Sequence, residues 1–118
     1  GKSMSWDLVV RQKFSAAHFL QNYKGKCEKM HGHTFEIEAH FRTRELDKSG
    51  ISIDFSALKE FLRQLVPDHK VLNDVFAFSP SAENLARHFF EQIKLNYPVI
   101  RVMVWESDDA GAAYAEDQ

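Results

Sequence analysis

Residues 34–42 read Thr-Phe-Glu-Ile-Glu-Ala-His-Phe-Arg, and apolar and polar side chains alternate along this stretch. Every second residue from Phe35 to Phe41 is apolar, whereas the residues between them are charged or polar. Because successive side chains of a strand point to opposite faces of a sheet, this pattern predicts a strand with one buried face and one polar face. The rest of the fold is predicted from the elements that surround this strand.

Two helices are predicted after it. Apolar residues recur at helical spacing from Phe55 to Leu65, with Asp54 as the N-cap and Pro67 as the residue that stops the helix. The second helix is predicted to begin at Ser79-Pro80, with the serine as its cap and the proline in its first turn. Its apolar stripe runs from Ala82 to Ile93, which makes both helices amphipathic.

The order of elements predicts the fold class. The four predicted strands cover residues 6–14, 34–42, 99–105 and 112–116. A β-β-α-α-β-β order predicts an α+β fold, in which a four-stranded antiparallel sheet carries two helices on one face. The other face is polar and needs solvent or a water-filled interior, and the two open edges favour edge-to-edge assembly. We expect one domain over residues 1–118, with residues 1–5 as a tag or a disordered segment.

Composition limits the partners and the compartment. The 118 residues are 44% hydrophobic and carry a formal net charge of −2, which predicts no binding to nucleic acid or to an anionic membrane. No apolar run approaches the roughly 18 residues of a membrane span. The N-terminal residues have no secretory pattern, and the single cysteine cannot form an internal disulfide, so we expect a cytoplasmic protein.

The segment from Cys27 to His33 holds two histidines two residues apart, His31 and His33. On an extended backbone such residues point to the same side, so both imidazoles can face one metal ion. His18 is the best third candidate, because a hairpin would bring the end of the first strand close to the start of the second. Three neutral histidines with an open fourth position are typical of a catalytic zinc site. The spacing alone is weak evidence and also fits an exposed histidine pair beside a turn.

Five polar residues elsewhere are candidates for chemistry. Cys27 follows several lysines, whose charge favours a reactive thiolate, although a buried inert thiol also fits. Glu28 is either an acid/base group or a solvated charge. Asp68 can orient His69 and raise its basicity, or both can simply belong to a polar turn. Glu106 extends an apolar row of the third strand, so it needs a ligand's N–H groups or a protein cation as a partner.

Six motifs occur in one order along the chain. They are Phe14-Ser-Ala-Ala-His18, Cys27-x3-His31-Gly-His33, Ile53-Asp-Phe55, Asp68-His-x-x-Leu-Asn-Asp74, Ser81-x-Glu83 and Trp105-Glu106-Ser107. Together they resemble the 6-pyruvoyl-tetrahydropterin synthase / 6-carboxytetrahydropterin synthase family. The resemblance runs from about residue 6 to the end of the chain.

The resemblance implies the tunnelling fold, in which three subunits close their sheets into a barrel. Two such trimers stack head to head into a homohexamer, with active sites between subunits. The implied substrate is 7,8-dihydroneopterin triphosphate and the implied cofactor is Zn²⁺. Such an assembly would cover the open edges and enclose the polar face of the sheet.

It also implies a role for each motif residue. The residues that match the family's zinc ligands are His18, His31 and His33. Cys27 matches the catalytic thiol, with His69 and Asp68 as its proton-handling partners. Glu106 matches the acid that anchors the amino-pyrimidine edge of the pterin. Ser107 stands where a threonine is common and is expected to keep its hydroxyl role.

The resemblance also implies an activity, through the motif that contains Cys27 and His31. The short Cys-x3-His-Gly-His motif resembles the bacterial 6-carboxytetrahydropterin synthases of queuosine biosynthesis, whose reaction loses acetaldehyde and triphosphate. Glu28-x2-His31 also matches a family variant in which a glutamate replaces the thiol and 6-hydroxymethyl-7,8-dihydropterin is made for folate. A 6-pyruvoyl-tetrahydropterin synthase, a non-catalytic pterin- or metal-binding oligomer, and a scaffold with a chance histidine pair are the remaining alternatives.

Overall fold

Residues 4–25 and 28–117, which the computed structural model describes, form five strands and three helices. In chain order these are β1 (Trp6–His18), β2 (His31–Thr43), α1 (Phe55–Leu65), β3 (Lys70–Val71), α2 (Leu72–Val75), α3 (Ala82–Lys94), β4 (Val99–Ser107) and β5 (Ala110–Ala115). The strands form one sheet in the order β3-β1-β2-β4-β5. Helix α3 packs on β4 and β5, and α1 packs on β1. Among the helices of this part of the chain, none is long and apolar enough to cross a membrane.

The predicted α+β class and the antiparallel sheet are confirmed, but the counts of strands and helices were too low. The fifth strand, β3, has two residues and pairs in parallel with Ala16 and Ala17 of β1. The third helix, α2, is a single turn of four residues. Neither element is long enough to show a hydrophobic period, which is the signal that predicted the others.

The first hairpin is longer at its loop end than the alternation predicts. Its two strands pair continuously from Trp6 with Thr43 to His18 with His31. Small and polar side chains near the loop obscure the apolar pattern, yet the backbone ladder continues through them because pairing depends on main-chain hydrogen bonds. The extension carries three histidines into the strands themselves, since Ala16 pairs with His33.

Aromatic side chains join the core to the loop end of this hairpin. Phe14 stacks on Phe35 with ring centroids 5.2 Å apart, and it meets Phe89 of α3 edge-on at 6.1 Å. Phe35 is fully buried and in turn contacts His18 at 5.2 Å and His33 at 5.5 Å. Such edge-to-face pairs add to the free energy gained by burial. The histidines therefore stand at the end of a packed row rather than in a free loop.

The two long helices begin at hydrogen-bonded caps. Asp54 accepts a hydrogen bond from the backbone N–H of Ser56 at 2.8 Å, which confirms the predicted start of α1. The cap of α3 is Ser81 rather than Ser79, because the Ser81 hydroxyl accepts from the N–H of Asn84 at 3.1 Å. Ser81 has extended backbone angles, which leave Pro80 outside the helix. The Pro80 carbonyl is therefore available for a contact outside the helix.

The other face of the sheet carries paired charges. Glu38 is only 6% exposed, and its carboxylate lies 2.7 Å from Arg11 Nη2, 2.7 Å from His40 Nε2 and 3.4 Å from Trp105 Nε1. Burial by itself raises the pKa of the Glu38 carboxyl. Hydrogen bonds from His40 and Trp105 and the charge of Arg11 lower this pKa by more than burial raises it, so the net shift is downward. An ionised carboxylate thus holds together the centre of this polar face.

Candidate metal centre and active site

Three histidines and one glutamate meet at the loop end of the sheet. One ligand atom from each of His18, His31, His33 and Glu106 lies within 4.8 Å of those of the others. The three imidazole centroids are 4.6 to 5.3 Å apart. His18 is 1% exposed, whereas the other two rings are partly exposed. Four ligand atoms at these separations can surround a single metal ion.

Strand alternation explains why the histidines face one another. His18 lies directly opposite His31 in the β1–β2 ladder, and His33 is two residues further along β2. All three share the face of the sheet that carries Phe14 and Phe35, because residues two apart point to the same side. The H-x-H spacing and the length of β1 together bring the rings into contact.

The backbone fixes which nitrogen of two rings faces the centre. His18 Nδ1 lies 2.8 Å from the Pro80 carbonyl oxygen, and His31 Nδ1 lies 2.9 Å from that of Lys29. A carbonyl oxygen only accepts, so both Nδ1 atoms carry the proton and donate. In the neutral rings the Nε2 atoms then present lone pairs toward the group. This backbone orientation of the rings is usual for histidines that bind metals.

His33 provides the direct test of whether a metal suits this site. Within the described residues, its Nε2 is a buried side-chain atom without a partner in hydrogen-bond geometry. Burial lowers the pKa of the His33 ring, the neighbouring His31 and His18 rings lower it further, and Glu106 opposes them. A metal ion needs the neutral imidazole and would satisfy the unpaired nitrogen. The donor set thus fits a bound cation.

Glu106 is the fourth member of the group. The strand pattern did not predict that Glu106 would lie beside the histidines. Its Oε1 lies 2.9 Å from His33 Nε2, 3.2 Å from His18 Nε2 and 3.9 Å from His31 Nε2. The β4–β5 register shifts between Trp105 and Ser107, so Glu106 falls in a bulge. The available signal was that Glu106 continues the buried row of β4 beyond Val104, toward the end of the sheet that holds the histidines.

Of the two residues predicted as alternatives for the catalytic group, the structure describes Glu28. Cys27 lies outside the described residues. Glu28 lies beside the histidines, with Oε1 3.7 Å from His31 Nδ1. The same oxygen accepts the backbone N–H of Leu20 at 3.2 Å, while the Glu28 N–H donates to the Leu20 carbonyl at 2.9 Å. In this conformation the carboxylate also closes the loop between β1 and β2.

Asp68 and His69 are fixed against the edge of β1. Asp68 Oδ1 accepts the backbone N–H of Ser15 at 2.8 Å, and the His69 N–H donates back to the Ser15 carbonyl. His69 has a positive φ of 58°, and its side chain is 81% exposed, with Nε2 3.5 Å from Asp68 Oδ2. His69 and His33 line one open depression of about 560 Å³. The exposed His69 side chain is therefore accessible from this depression.

Two further polar side chains define the surroundings. Asn73 accepts the backbone N–H of Phe19 at 3.0 Å and donates to its carbonyl at 2.9 Å, which fixes the chain just after His18. Sequence reasoning gave Asn73 no role, although it lies within a quoted motif. Ser107, at the end of β4, donates from its hydroxyl to Asp109 at 3.0 Å. Its oxygen is therefore still able to accept a hydrogen bond.

Comparisons with known proteins identify the family. The family model described as 6-pyruvoyl tetrahydropterin synthase matches residues 7–117. A 6-carboxy-5,6,7,8-tetrahydropterin synthase of Synechocystis sp. is 34% identical over 97 residues, which is 75% of this chain and 75% of that protein. Both matches agree with the resemblance carried by the sequence motifs.

Solved structures agree on the fold. The 6-pyruvoyl tetrahydropterin synthase of Caenorhabditis elegans superimposes with a TM-score of 0.80 at 21% identity, over 99% of each chain. A catalytic-residue mutant of the Plasmodium vivax 6-pyruvoyltetrahydropterin synthase, in which a glutamate is replaced by cysteine, gives a TM-score of 0.72 at 19% identity. It covers 98% of this chain and 99% of that one. This chain belongs to the 6-pyruvoyl tetrahydropterin synthase family and, as the motifs predicted, is a lyase enzyme with its tunnelling fold.

Proposed function

We propose that this enzyme is a zinc-dependent lyase that converts 7,8-dihydroneopterin triphosphate to 6-carboxy-5,6,7,8-tetrahydropterin, a step of queuosine biosynthesis. The observation that carries the proposal is the convergence of His18, His31 and His33, two of them oriented by backbone carbonyls. The relative from Synechocystis sp. bears the name of this activity. The short spacing between Cys27 and His31 supports the same assignment.

The three histidines would hold Zn²⁺ through Nε2. When bound, the ion would supply Lewis acidity, polarising the side-chain hydroxyls of the substrate and stabilising negative charge that develops on oxygen. The protein orients the rest of the ligand around this point. Glu106 would accept hydrogen bonds from the amino-pyrimidine edge of the pterin, and the Ser107 hydroxyl would add a further polar contact. Recognition of the ring and the reacting side chain would thus lie side by side.

Proton transfer is assigned to Cys27 and to the pair of Asp68 and His69. The backbone of His69 is held by the hydrogen bond from its N–H to the Ser15 carbonyl, and the exposed His69 ring lies with Nε2 3.5 Å from Asp68 Oδ2. In this role His69 and the Cys27 thiol would move protons at the carbons that flank the pterin ring. General acid–base catalysis of this kind typically contributes 10²–10⁴-fold in rate.

A homohexamer of two stacked trimers is part of the proposal. Among the described residues, β1 pairs with β3 only at Ala16 and Ala17, so most of the outer edge of β1 has no strand partner there, and β5 forms the other edge. Joining such edges between subunits would extend the ladders and place Glu38 and its partners inside a barrel. Active sites would then lie between subunits. Light scattering tests this proposal, because a homohexamer should have six times the mass of one chain.

A second candidate activity rests on Glu28. Its carboxylate lies 3.7 Å from His31 Nδ1, the ring nitrogen that contacts the Lys29 carbonyl, so it would have to turn toward the metal-facing side of the ring to reach a substrate. A glutamate is the catalytic residue replaced in the Plasmodium vivax structure. Glu28 would then act as the acid/base group in cleavage to 6-hydroxymethyl-7,8-dihydropterin. Its bond to the Leu20 N–H instead favours a role in holding the loop, which is why this activity ranks second.

Product identification separates these activities. The zinc-loaded enzyme is incubated with 7,8-dihydroneopterin triphosphate, and the pterins are resolved by mass. We expect 6-carboxytetrahydropterin from the wild type and from Glu28→Gln, and its loss in Cys27→Ala. A 6-hydroxymethyl product that persists in Cys27→Ala and disappears in Glu28→Gln would reverse the ranking.

The same incubation also distinguishes the remaining alternative functions. A 6-pyruvoyl product would assign biopterin-type chemistry, and bound but unchanged pterin would assign a non-catalytic binder. The cytoplasm is the compartment that we propose, since a catalytic thiol at Cys27 needs a reducing environment. Each outcome can be read from one incubation with the same wild-type preparation.

A further inference from the structure

Glu106 Oε1 lies within 3.9 Å of the Nε2 atoms of all three histidines. We propose that Glu106 is a fourth ligand of the metal when no substrate is bound, and that the pterin must draw this carboxylate away to open the metal. The inference rests on the proposed function, because it assumes that His18, His31 and His33 hold zinc. It assigns to Glu106 a role in addition to pterin recognition.

The distances match a ligand position. In a tetrahedral zinc site with bonds of about 2.0–2.1 Å, neighbouring ligand atoms lie about 3.3 Å apart. Glu106 Oε1 lies 2.9, 3.2 and 3.9 Å from the three Nε2 atoms, which brackets that separation. All four donors also lie within 4.8 Å of one another, so small side-chain movements are enough to place them around one ion.

The chemistry of the contacts points the same way. His18 and His31 donate from Nδ1 to backbone carbonyls, so in the neutral rings their Nε2 lone pairs face the carboxylate. Lone pairs and a carboxylate oxygen repel one another at these distances unless a proton on the nitrogen or a metal cation lies between them. His33 Nε2, which lacks a hydrogen-bond partner in the described residues, would be satisfied by the same cation. A carboxylate is also a usual zinc ligand alongside histidine.

One carboxylate cannot fill both roles fully at the same time. With Oε1 on the metal, Glu106 has only part of its accepting capacity for the N–H groups of a pterin. The Glu106 side chain is 36% exposed, so a ring entering the site can reach it without unfolding β4. Hydrogen bonds from the pterin would withdraw the carboxylate and leave the fourth position for the substrate's hydroxyls. Recognition of the ring would thereby open the metal for chemistry.

Metal affinity and a metal spectrum test this inference without measuring activity. Zinc affinity is measured by competition with a chromophoric chelator for the wild type, Glu106→Gln and Glu106→Asp. We expect Glu106→Gln to weaken zinc binding at least tenfold, the low end of what ligand-supporting groups contribute. The visible spectrum of the cobalt(II)-loaded Glu106→Gln protein should differ from that of the wild type. The zinc affinity and the cobalt spectrum of Glu106→Asp should lie between those of the wild type and Glu106→Gln.

Glu36→Gln is the matched control. Glu36 lies on the same sheet but on the face opposite to His33, where it contacts Arg11 at 3.6 Å. This change removes the same charge without touching the donor group, so zinc affinity and the cobalt spectrum should stay as in the wild type. Adding 7,8-dihydroneopterin to the wild-type cobalt protein should shift its spectrum toward that of Glu106→Gln.

The outcomes distinguish two failures. If the wild type binds no zinc, the proposed function fails and this inference fails with it. If the wild type binds zinc but Glu106→Gln and Glu106→Asp retain its affinity and its cobalt spectrum, only this inference is overturned. Glu106 would then be a pterin anchor alone. A spectrum that does not respond to 7,8-dihydroneopterin would likewise reject withdrawal of the carboxylate.

Discussion

Gly111 lets β5 pass close to β4 beside the bulge that carries Glu106, so Gly111→Ala tests how the sheet positions the site. A Cβ at this position would lie 2.7 Å from the Val104 carbonyl oxygen and 3.0 Å from Trp105 Cα. Both contacts involve backbone atoms, so a side-chain rotation cannot relieve them. The two strands must therefore separate by several tenths of an ångström. Because Trp105 immediately precedes Glu106, this separation would also displace Glu106.

The magnitude follows from overpacking. Forcing one methyl group into a filled position typically costs about 1–3 kcal/mol. With a urea m-value of about 2 kcal/mol/M, the unfolding midpoint should fall by about 0.5–1.5 M. Because assembly contributes to apparent stability, all variants are compared at one protein concentration. The displacement of Trp105 should also weaken zinc binding through Glu106.

Gly32→Ala is the matched control for this prediction. It makes the same substitution in a strand, but the nearest atom to the new Cβ would be the Ala16 carbonyl oxygen at 3.9 Å, an ordinary contact. Its unfolding midpoint should equal or slightly exceed that of the wild type, since alanine restricts the unfolded chain more than glycine does. If Gly111→Ala were as stable as Gly32→Ala, the steric argument would be wrong.

Two further predictions concern the segments around the site. Asn73→Ala should lower the free energy of unfolding by about 1–3 kcal/mol in urea denaturation, because two backbone groups of Phe19 lose their partner. Asn96→Ala, at an exposed position, should be neutral. Equal stabilities of the two variants would contradict a stabilising role for the Asn73–Phe19 hydrogen bonds. Burial lowers the pKa of His88 below 6.5 in the folded protein, with Glu91 opposing. The folded state therefore binds fewer protons than the unfolded state, so stability should fall as the pH drops below about 6.5. His88→Gln should flatten this fall below about pH 6.5, and a curve parallel to the wild type would contradict it.

The elements with a clear hydrophobic period were predictable from the sequence. The second strand and both long helices follow from alternation or helical spacing, and Asp54 caps α1 as predicted. The two-residue β3 and the single-turn α2 were not predictable, because they form through contacts with β1 and not through a periodic pattern of their own. The cap of α3 was misplaced by two residues for a similar reason, since Ser79 and Ser81 are equivalent in local sequence.

The histidine group was predictable in membership but not in detail. Alternation places His31 and His33 on one side, and the hairpin brings His18 opposite His31. Glu106 could not be added by spacing, because it belongs to a distant strand and falls where the register shifts. The backbone carbonyls that accept the ring protons could not be predicted either. The Pro80 carbonyl lies near His18 because of where the folded chain places the start of α3.

The zinc content of the purified protein tests the central claim most directly. After loading and dialysis, metal analysis of the wild type should give one zinc ion per chain. His33→Ala should lose it, because His33 is one of the three histidine donors. His40→Ala, on the opposite face of the same strand, should retain it. A wild-type protein that takes up no zinc, or a His33→Ala variant that holds as much zinc as the wild type, would contradict the metal centre on which the proposed chemistry depends.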